Sequence, residues 1–206
     1  MFSGLSPETV RANLARIREE VGPGVTIVAA TKYVGLEDMA VLAEAGVEVV
    51  GENRAQDLQA KHARHADDFR WHFIGHLQSN KAKVLNETCE LVHSLSSSSA
   101  AARLTVPALV EINLSGEPSK SGIPAEELDA FLEAAPCEIR GLMTMPPAAD
   151  DPEASRPWFA RLRELAERHG LRELSMGTSQ DFRVAAEEGA TLVRVGNVLY
   201  ADYHSR

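Results

Sequence analysis

The sequence predicts an α/β fold of the (β/α)8 TIM barrel class. Three observations predict it: about eight short apolar, β-branched runs, a helical pattern after nearly every one, and polar side chains gathered where the runs end. The runs occupy 25–30, 47–51, 71–75, 90–94, 108–114, 138–144, 173–177 and 191–196. They are too short for helices and mostly lack strict alternation, so they read as strands covered on both faces. Helical patterns span 36–45, 55–65, 79–86, 97–104, 125–135, 152–169 and 180–188. An open doubly wound sheet shares this local pattern, but the count and spacing favour a closed barrel.

The elements follow in order. A leading helix over 7–20 precedes the first strand, with Ser6 as N-cap, Pro7 at the first helical position, and Gly22-Pro23-Gly24 as its stop. The last strand is followed only by VLYADYHSR, too short for a closing helix, so the leading helix is expected to fill that outer position. SSSSAAA at 96–102 reads as a helix start or a mobile loop, with no function attached. No Pro/Gly/Ser-rich linker divides residues 1–206, and one barrel domain is expected.

Hydrophobic residues make up 44% of the chain, which suits a globular core, and Lys plus Arg number 21 against 30 acidic residues. The formal charge of −9 repels nucleic-acid backbones and anionic lipid, so neither is an expected partner. An anionic ligand would need a local nest of backbone N–H groups and a cation or two. Cys89 and Cys137 lie far apart with no metal or redox spacing, which fits a reducing cytoplasm. The N-terminal segment mixes Arg and Glu through its apolar positions and has no targeting character, and no apolar run spans a bilayer.

Barrel sites are built at the C-terminal strand ends. Those ends carry Lys32; Glu52 with Asn53; His76; His93 with Ser94; Asn113; Met143 with Thr144; Ser175 with Thr178 and Ser179; and Arg194 with Asn197. Lys32 follows VTIVAAT, where desolvation would lower its pKa and favour imine formation; the other reading is a lysine reaching water or pairing with Glu52. The last two strand ends bring Gly177, Thr178 and Ser179 before a helix and Gly196 in a second turn, the usual phosphate position of this architecture. Ser179 as an ordinary N-cap and Gly196 as an ordinary turn are the alternative. A reactive lysine facing a phosphate nest suggests pyridoxal phosphate, or an aldolase attacking a sugar-phosphate carbonyl with Glu52 as acid/base. Arg194 would then face a pyridine nitrogen and weaken the ring as an electron sink, or serve as an internal counter-ion for Glu52.

The histidines divide by position. His72 and His76, four apart on a strand, would stand roughly 13 Å apart, which argues against a metal pair. His62 and His65 in KHARH read as a solvated face. His76 is a site candidate or a histidine that merely supports its neighbours.

Nearly end to end, the sequence resembles the pyridoxal phosphate homeostasis protein family, related to the barrel of alanine racemase. The motifs are VAATKYV, VGENRAQD, WHFIGHLQSNKAK, VHSL, INLSGEPSKSGI, RGLMTM, ELSMGTSQDF and LVRVGN. The resemblance implies a Schiff base on Lys32, phosphate contacts from Ser179, Gly196 and Asn197, Arg194 near the pyridine nitrogen, and Asn53 and His76 lining the pocket. MGTSQDF stands where the family more often has MGMSGDF, and Asn197 stands where Thr or Ser commonly follows the glycine. Asn197 still offers a backbone N–H and a side-chain amide, so the phosphate is expected to be kept with altered geometry. The family also keeps a lysine at Lys120, a rival attachment point or a solvated loop cation. Racemases of this barrel type draw a second base from an added β domain, which this chain is expected to lack. The expectation is therefore a cytoplasmic, monomeric carrier that buffers pyridoxal 5'-phosphate or hands it to apo-enzymes; a dimer, an amino-acid racemase and a Schiff-base aldolase remain alternatives.

Overall fold

In the computed structural model, which describes residues 4–201, all eight apolar runs become strands. They are β1 (Thr26–Ala30), β2 (Val49–Glu52), β3 (Arg70–Phe73), β4 (Leu91–Leu95), β5 (Ala108–Asn113), β6 (Ile139–Met143), β7 (Glu173–Ser175) and β8 (Leu192–Val195). All pair in parallel in the order β4-β3-β2-β1-β8-β7-β6-β5, and β4 pairs with β5, which closes the barrel. A two-residue strand, Ile123–Pro124, pairs with the end of β5. Closure leaves no barrel strand with an open edge.

Two apolar layers explain why the runs lack alternation. Val28, Val49, Leu91, Leu109, Met143 and Leu192, each from a different strand, form a cluster that fills the barrel interior together with Ile74. The opposite strand faces, with residues such as Val50, Trp71, Val92, Val110 and Val193, pack outward against the helices in a second, larger cluster. Buried side chains of this size contribute about 1.5–3 kcal/mol each.

The helices are α1 (Pro7–Val21), α2 (Met39–Glu44), α3 (Ala55–His65), α4 (Ala82–Thr88), α5 (Ser98–Ala101), α6 (Leu128–Ala134), α7 (Arg156–Arg168), α8 (Phe182–Glu187) and α9 (Asn197–Tyr200). Several expected helices start late because a 3-10 turn precedes them, as at Ser79–Lys81, Ala125–Glu127 and Pro152–Ser155. The serine-rich patch is a helix start: Ser97 Oγ accepts the Ala100 N–H at 3.3 Å.

α1 fills the outer position beside the last strand. Its N-cap forms as expected, with Ser6 Oγ accepting from Thr9 N, and its buried stripe of Val10, Leu14, Ile17 and Val21 faces inward. It packs against α2, α8 and the single turn of α9. Asn13 Nδ2 donates to the Leu199 and Ala201 carbonyls, both at 3.1 Å, which ties the leading helix to the chain after β8. Residues 202–206 of VLYADYHSR lie outside the described residues. Among the described residues no helix is long and apolar enough to cross a membrane.

Candidate functional site

Lys32 stands two residues beyond β1, in the turn at the barrel mouth. Thr31 before it is buried and Lys32 itself is exposed, its Nζ lying 4.6 Å from the Tyr33 ring centroid. The expected desolvation is therefore absent, because the turn carries the side chain out over an exposed tyrosine instead of into the barrel. Of the two alternatives, Lys32 reaches water and does not pair with Glu52. Glu52 is fully buried and takes Lys61 Nζ, the Thr31 hydroxyl at 2.7 Å and the Asn53 N–H at 3.1 Å. Lys61 Nζ also donates to the Thr31 carbonyl at 2.8 Å. The ion pair thus braces the turn that presents Lys32.

Lys61 corrects the reading of KHARH as wholly solvated. Ala55, Leu58 and Lys61 are the buried residues of α3, a spacing that sets one face on the barrel. His62 and His65 are half-buried: His62 packs edge-on against Trp71, and His65 Nδ1 lies 2.7 Å from Asp68.

Asn53, next to Glu52, is half-buried, and its side-chain oxygen is shielded from solvent with no hydrogen-bond partner among the described residues. Gly75 permits the close pass there, since a Cβ on it would fall 1.9 Å from the Asn53 carbonyl oxygen. His76 follows and is exposed. The remaining polar strand ends are spent internally. Ser94 Oγ donates to the Gly75 carbonyl, Thr144 Oγ1 donates to the Ile112 carbonyl, and Asn113 ties its own loop through Glu117 and Lys120. Lys120 is part-buried and donates to the Pro146 carbonyl at 3.2 Å, so it is more than a solvated loop cation.

Arg194 lies inside the barrel on β8, level with Val28 of β1. It is not the counter-ion of Glu52. Its Nη1 donates to Ser175 Oγ at 2.5 Å, and its Nη2 donates to the Thr144 carbonyl at 3.1 Å and to Met145 Sδ at 2.8 Å. Burial draws the guanidinium down to about 10, against the pull of the more distant Glu111 and Asp181 carboxylates. It stays charged at neutral pH. Met145, which supplies the weakest of the three acceptors, is 45% exposed.

The loops after β7 and β8 meet as expected, through side chains. Ser179 Oγ accepts the Gly196 N–H at 3.0 Å, so Ser179 is not an N-cap and that N–H is already engaged. Asp181 precedes α8 and folds the preceding turn onto itself, accepting from Thr178 N at 2.7 Å, Thr178 Oγ1 at 3.1 Å and Ser155 Oγ at 2.7 Å. Gly177 has φ +90 and packs so closely that a Cβ would lie 2.5 Å from that of Ala185. Asn197 opens α9 and is exposed.

The sequence reading names residues on both sides of this mouth and does not name Lys61, Met145 or the interior place of His72. The apolar spacing of 55 and 58 continues to 61 and could have revealed Lys61. No sequence signal marks the thioether contact, which depends on the path of the chain after β6.

The sequence profile of the family described as alanine racemase, N-terminal domain, matches residues 5–204. A pyridoxal phosphate homeostasis protein of Aquifex aeolicus is 39% identical over 196 residues, 85% of this chain and 86% of its own. One from Deinococcus radiodurans is 40% identical over 212 residues, 94% and 100% of the two chains. The solved structure of PipY from Synechococcus elongatus with PLP bound superposes with a TM-score of 0.82 at 32% identity, covering 93% of this chain and 100% of that one. Alanine racemase from Corynebacterium glutamicum shares the fold, with a TM-score of 0.75 at 20% identity over 96% of this chain and 61% of its own.

Proposed function

The chain belongs to the pyridoxal phosphate homeostasis protein family, and on that premise we propose that it holds pyridoxal 5'-phosphate as a Schiff base on Lys32. It buffers the cofactor or hands it to apo-enzymes, without robust catalysis of its own. We place it in the cytoplasm as a monomer, with no nucleic-acid or membrane partner.

The observation that carries this reading is Arg194. A buried cation at a barrel mouth normally meets a carboxylate. Among the described residues this one has none paired to it, and one of its N–H groups rests on an exposed thioether. A thioether is a poor acceptor that a heteroaromatic nitrogen would displace. The donor set around it suits the rest of the cofactor. Lys32 is an exposed amine with no carboxylate paired to it among the described residues, the Asn53 oxygen is open to a donor, and Ser179 meets Gly196, next to the exposed Asn197, where the phosphate would be held once it displaces their mutual hydrogen bond. His76, which is exposed, would line the open side. When bound, the cofactor supplies an electrophilic aldehyde carbon and an electron-withdrawing ring. Arg194 keeps the ring nitrogen unprotonated and so restrains that withdrawal, which suits storage better than turnover. The Schiff-base aldolase reading loses its acid/base group, because Glu52 is committed to Lys61 and Thr31.

The test is binding and absorbance on stripped protein. Pyridoxal phosphate should bind at least about tenfold more tightly than pyridoxal, since each charge-assisted bond contributes roughly 1.5–3 kcal/mol. Ser179→Ala should weaken binding and speed release without abolishing it. The loaded protein should show a Schiff-base band that amino acids do not turn over. Racemisation of an added amino acid would move the assignment to an enzyme, and equal affinity for the two ligands would remove the phosphate site.

A further inference from the structure

Inside the barrel, behind Arg194, four side chains from four strands touch in series. Arg194 Nη1 donates to Ser175 Oγ at 2.5 Å, Ser175 Oγ lies 2.7 Å from His93 Nδ1, and His93 Nε2 lies 2.9 Å from His72 Nδ1. Their strands are β8, β7, β4 and β3, so the series crosses the interior. All four side chains are buried, and His93 and Ser175 are completely so. A barrel of this kind is ordinarily filled by branched apolar residues, as the neighbouring cluster of Val28, Val49, Leu91, Leu109, Met143 and Leu192 is. Polar groups in such a place are costly unless satisfied, and a chain of them is kept for what it fixes.

The donors run in one direction. A guanidinium has only N–H groups, so Ser175 Oγ must accept from Arg194. If His93 Nδ1 also carried a proton, the Ser175 hydroxyl hydrogen would be left without a buried acceptor. Ser175 therefore donates to His93 Nδ1, His93 carries its proton on Nε2 and donates to His72 Nδ1, and His72 carries its proton on Nε2. That last nitrogen is shielded from solvent with no partner among the described residues. Both imidazoles are neutral in this arrangement. Burial lowers His72 to about 3 and His93 well below its ordinary value, helped for His93 by the charge of Arg194.

We infer that Ser175, His93 and His72 are positioning residues for Arg194: a one-way hydrogen-bond chain that fixes the guanidinium against the barrel wall and so sets how it meets the cofactor ring. The inference rests on the reading of Arg194 as the partner of the ring nitrogen. Without the chain, Nη1 would lose the Ser175 hydroxyl, leaving the guanidinium, among the described residues, on the Thr144 carbonyl and the exposed Met145.

The test has one arm without cofactor and one with it. In stripped, nitrogen-15-labelled protein at neutral pH, two-bond correlations of the imidazole nitrogens should show His72 and His93 both neutral with the proton on Nε2. Ser175→Ala should shift His93 to a mixture of tautomers, and Ser175→Thr should restore the single form. In loaded protein, Ser175→Ala should shift the absorption band and weaken retention by roughly two- to tenfold, the range of one lost hydrogen bond, and Ser175→Thr should return both toward wild type. A proton on Nδ1 of either histidine, or a Ser175→Ala variant with unchanged tautomers and an unchanged band, would overturn the chain. Failure of the protein to bind pyridoxal phosphate would instead overturn the functional reading, and the tautomer arm would still judge the chain.

Discussion

Lys61 and Arg194 are both cations buried near the barrel mouth, each 6% exposed, and their surroundings differ in kind. Lys61 closes on the fully buried carboxylate of Glu52 and on the Thr31 carbonyl. Arg194 is met by a hydroxyl, a carbonyl and a thioether, with Glu111 and Asp181 only at longer range. The first pair is complete within the fold and braces the Lys32 turn. The second leaves a charge with no directly paired carboxylate among the described residues. Equal burial thus goes with a cation completed within the fold on one side of the mouth and, on the proposed reading, with a ligand-directed cation on the other.

The largest test breaks the complete pair. Lys61→Met leaves Glu52 buried and uncompensated, which costs about 3–5 kcal/mol in a buried pair, and denaturant unfolding should show a loss of that order. Lys61→Met combined with Glu52→Leu should recover most of it. A single variant near wild-type stability would mean that Lys61 is not holding the β2 end.

The next effect belongs to the other side. His72 and His93 are neutral when folded and titrate near pH 6.5 when unfolded, so the unfolded chain binds more protons below that pH. Stability should be fully present above about pH 6.5 and fall as pH drops below it, continuing toward about 3 for His72. The slope approaches about 1.4 kcal/mol per pH unit for each imidazole. His72→Phe should roughly halve it. A flat unfolding free energy between pH 7 and 5 would contradict the neutral pair.

Arg194→Gln sharpens the contrast with Lys61. It strands no directly paired carboxylate, so the stability loss should be about 1–2 kcal/mol, the scale of its hydrogen bonds. The absorbance of bound pyridoxal phosphate should change more than its retention. A loss as large as that of Lys61→Met would erase the distinction between the two cations.

Much of this architecture was readable in the sequence, for a physical reason. Parallel strands covered on both faces leave uninterrupted apolar runs, and those runs placed all eight strands. Boundaries slipped where a 3-10 turn opens a helix, as at Ser79–Lys81, because capping geometry and not apolar spacing decides the first turn. The meeting of Ser179 with Gly196 followed from chain order, since consecutive barrel strands bring their loops together. The partner of Glu52 did not: Lys32, Arg194 and Lys61 are all chemically suitable, and only the rotation of α3 against the barrel selects Lys61. Whether Lys32 is desolvated or reaches water stayed open for the same kind of reason, because a two-residue turn decides whether a side chain enters the barrel or leaves it.

The smallest effect on the fold bears most directly on the function. Lys32 is exposed with no ion pair among the described residues, so Lys32→Ala should change stability by no more than about 0.5 kcal/mol. The decisive measurement is peptide mapping by mass spectrometry after pyridoxal phosphate loading and borohydride reduction, on wild type and on Lys32→Ala. The account predicts a phosphopyridoxyl adduct on Lys32 in the wild type and none elsewhere at comparable yield, with its loss in the variant. A wild-type adduct centred on Lys61 or Lys120, or none at all, would contradict it.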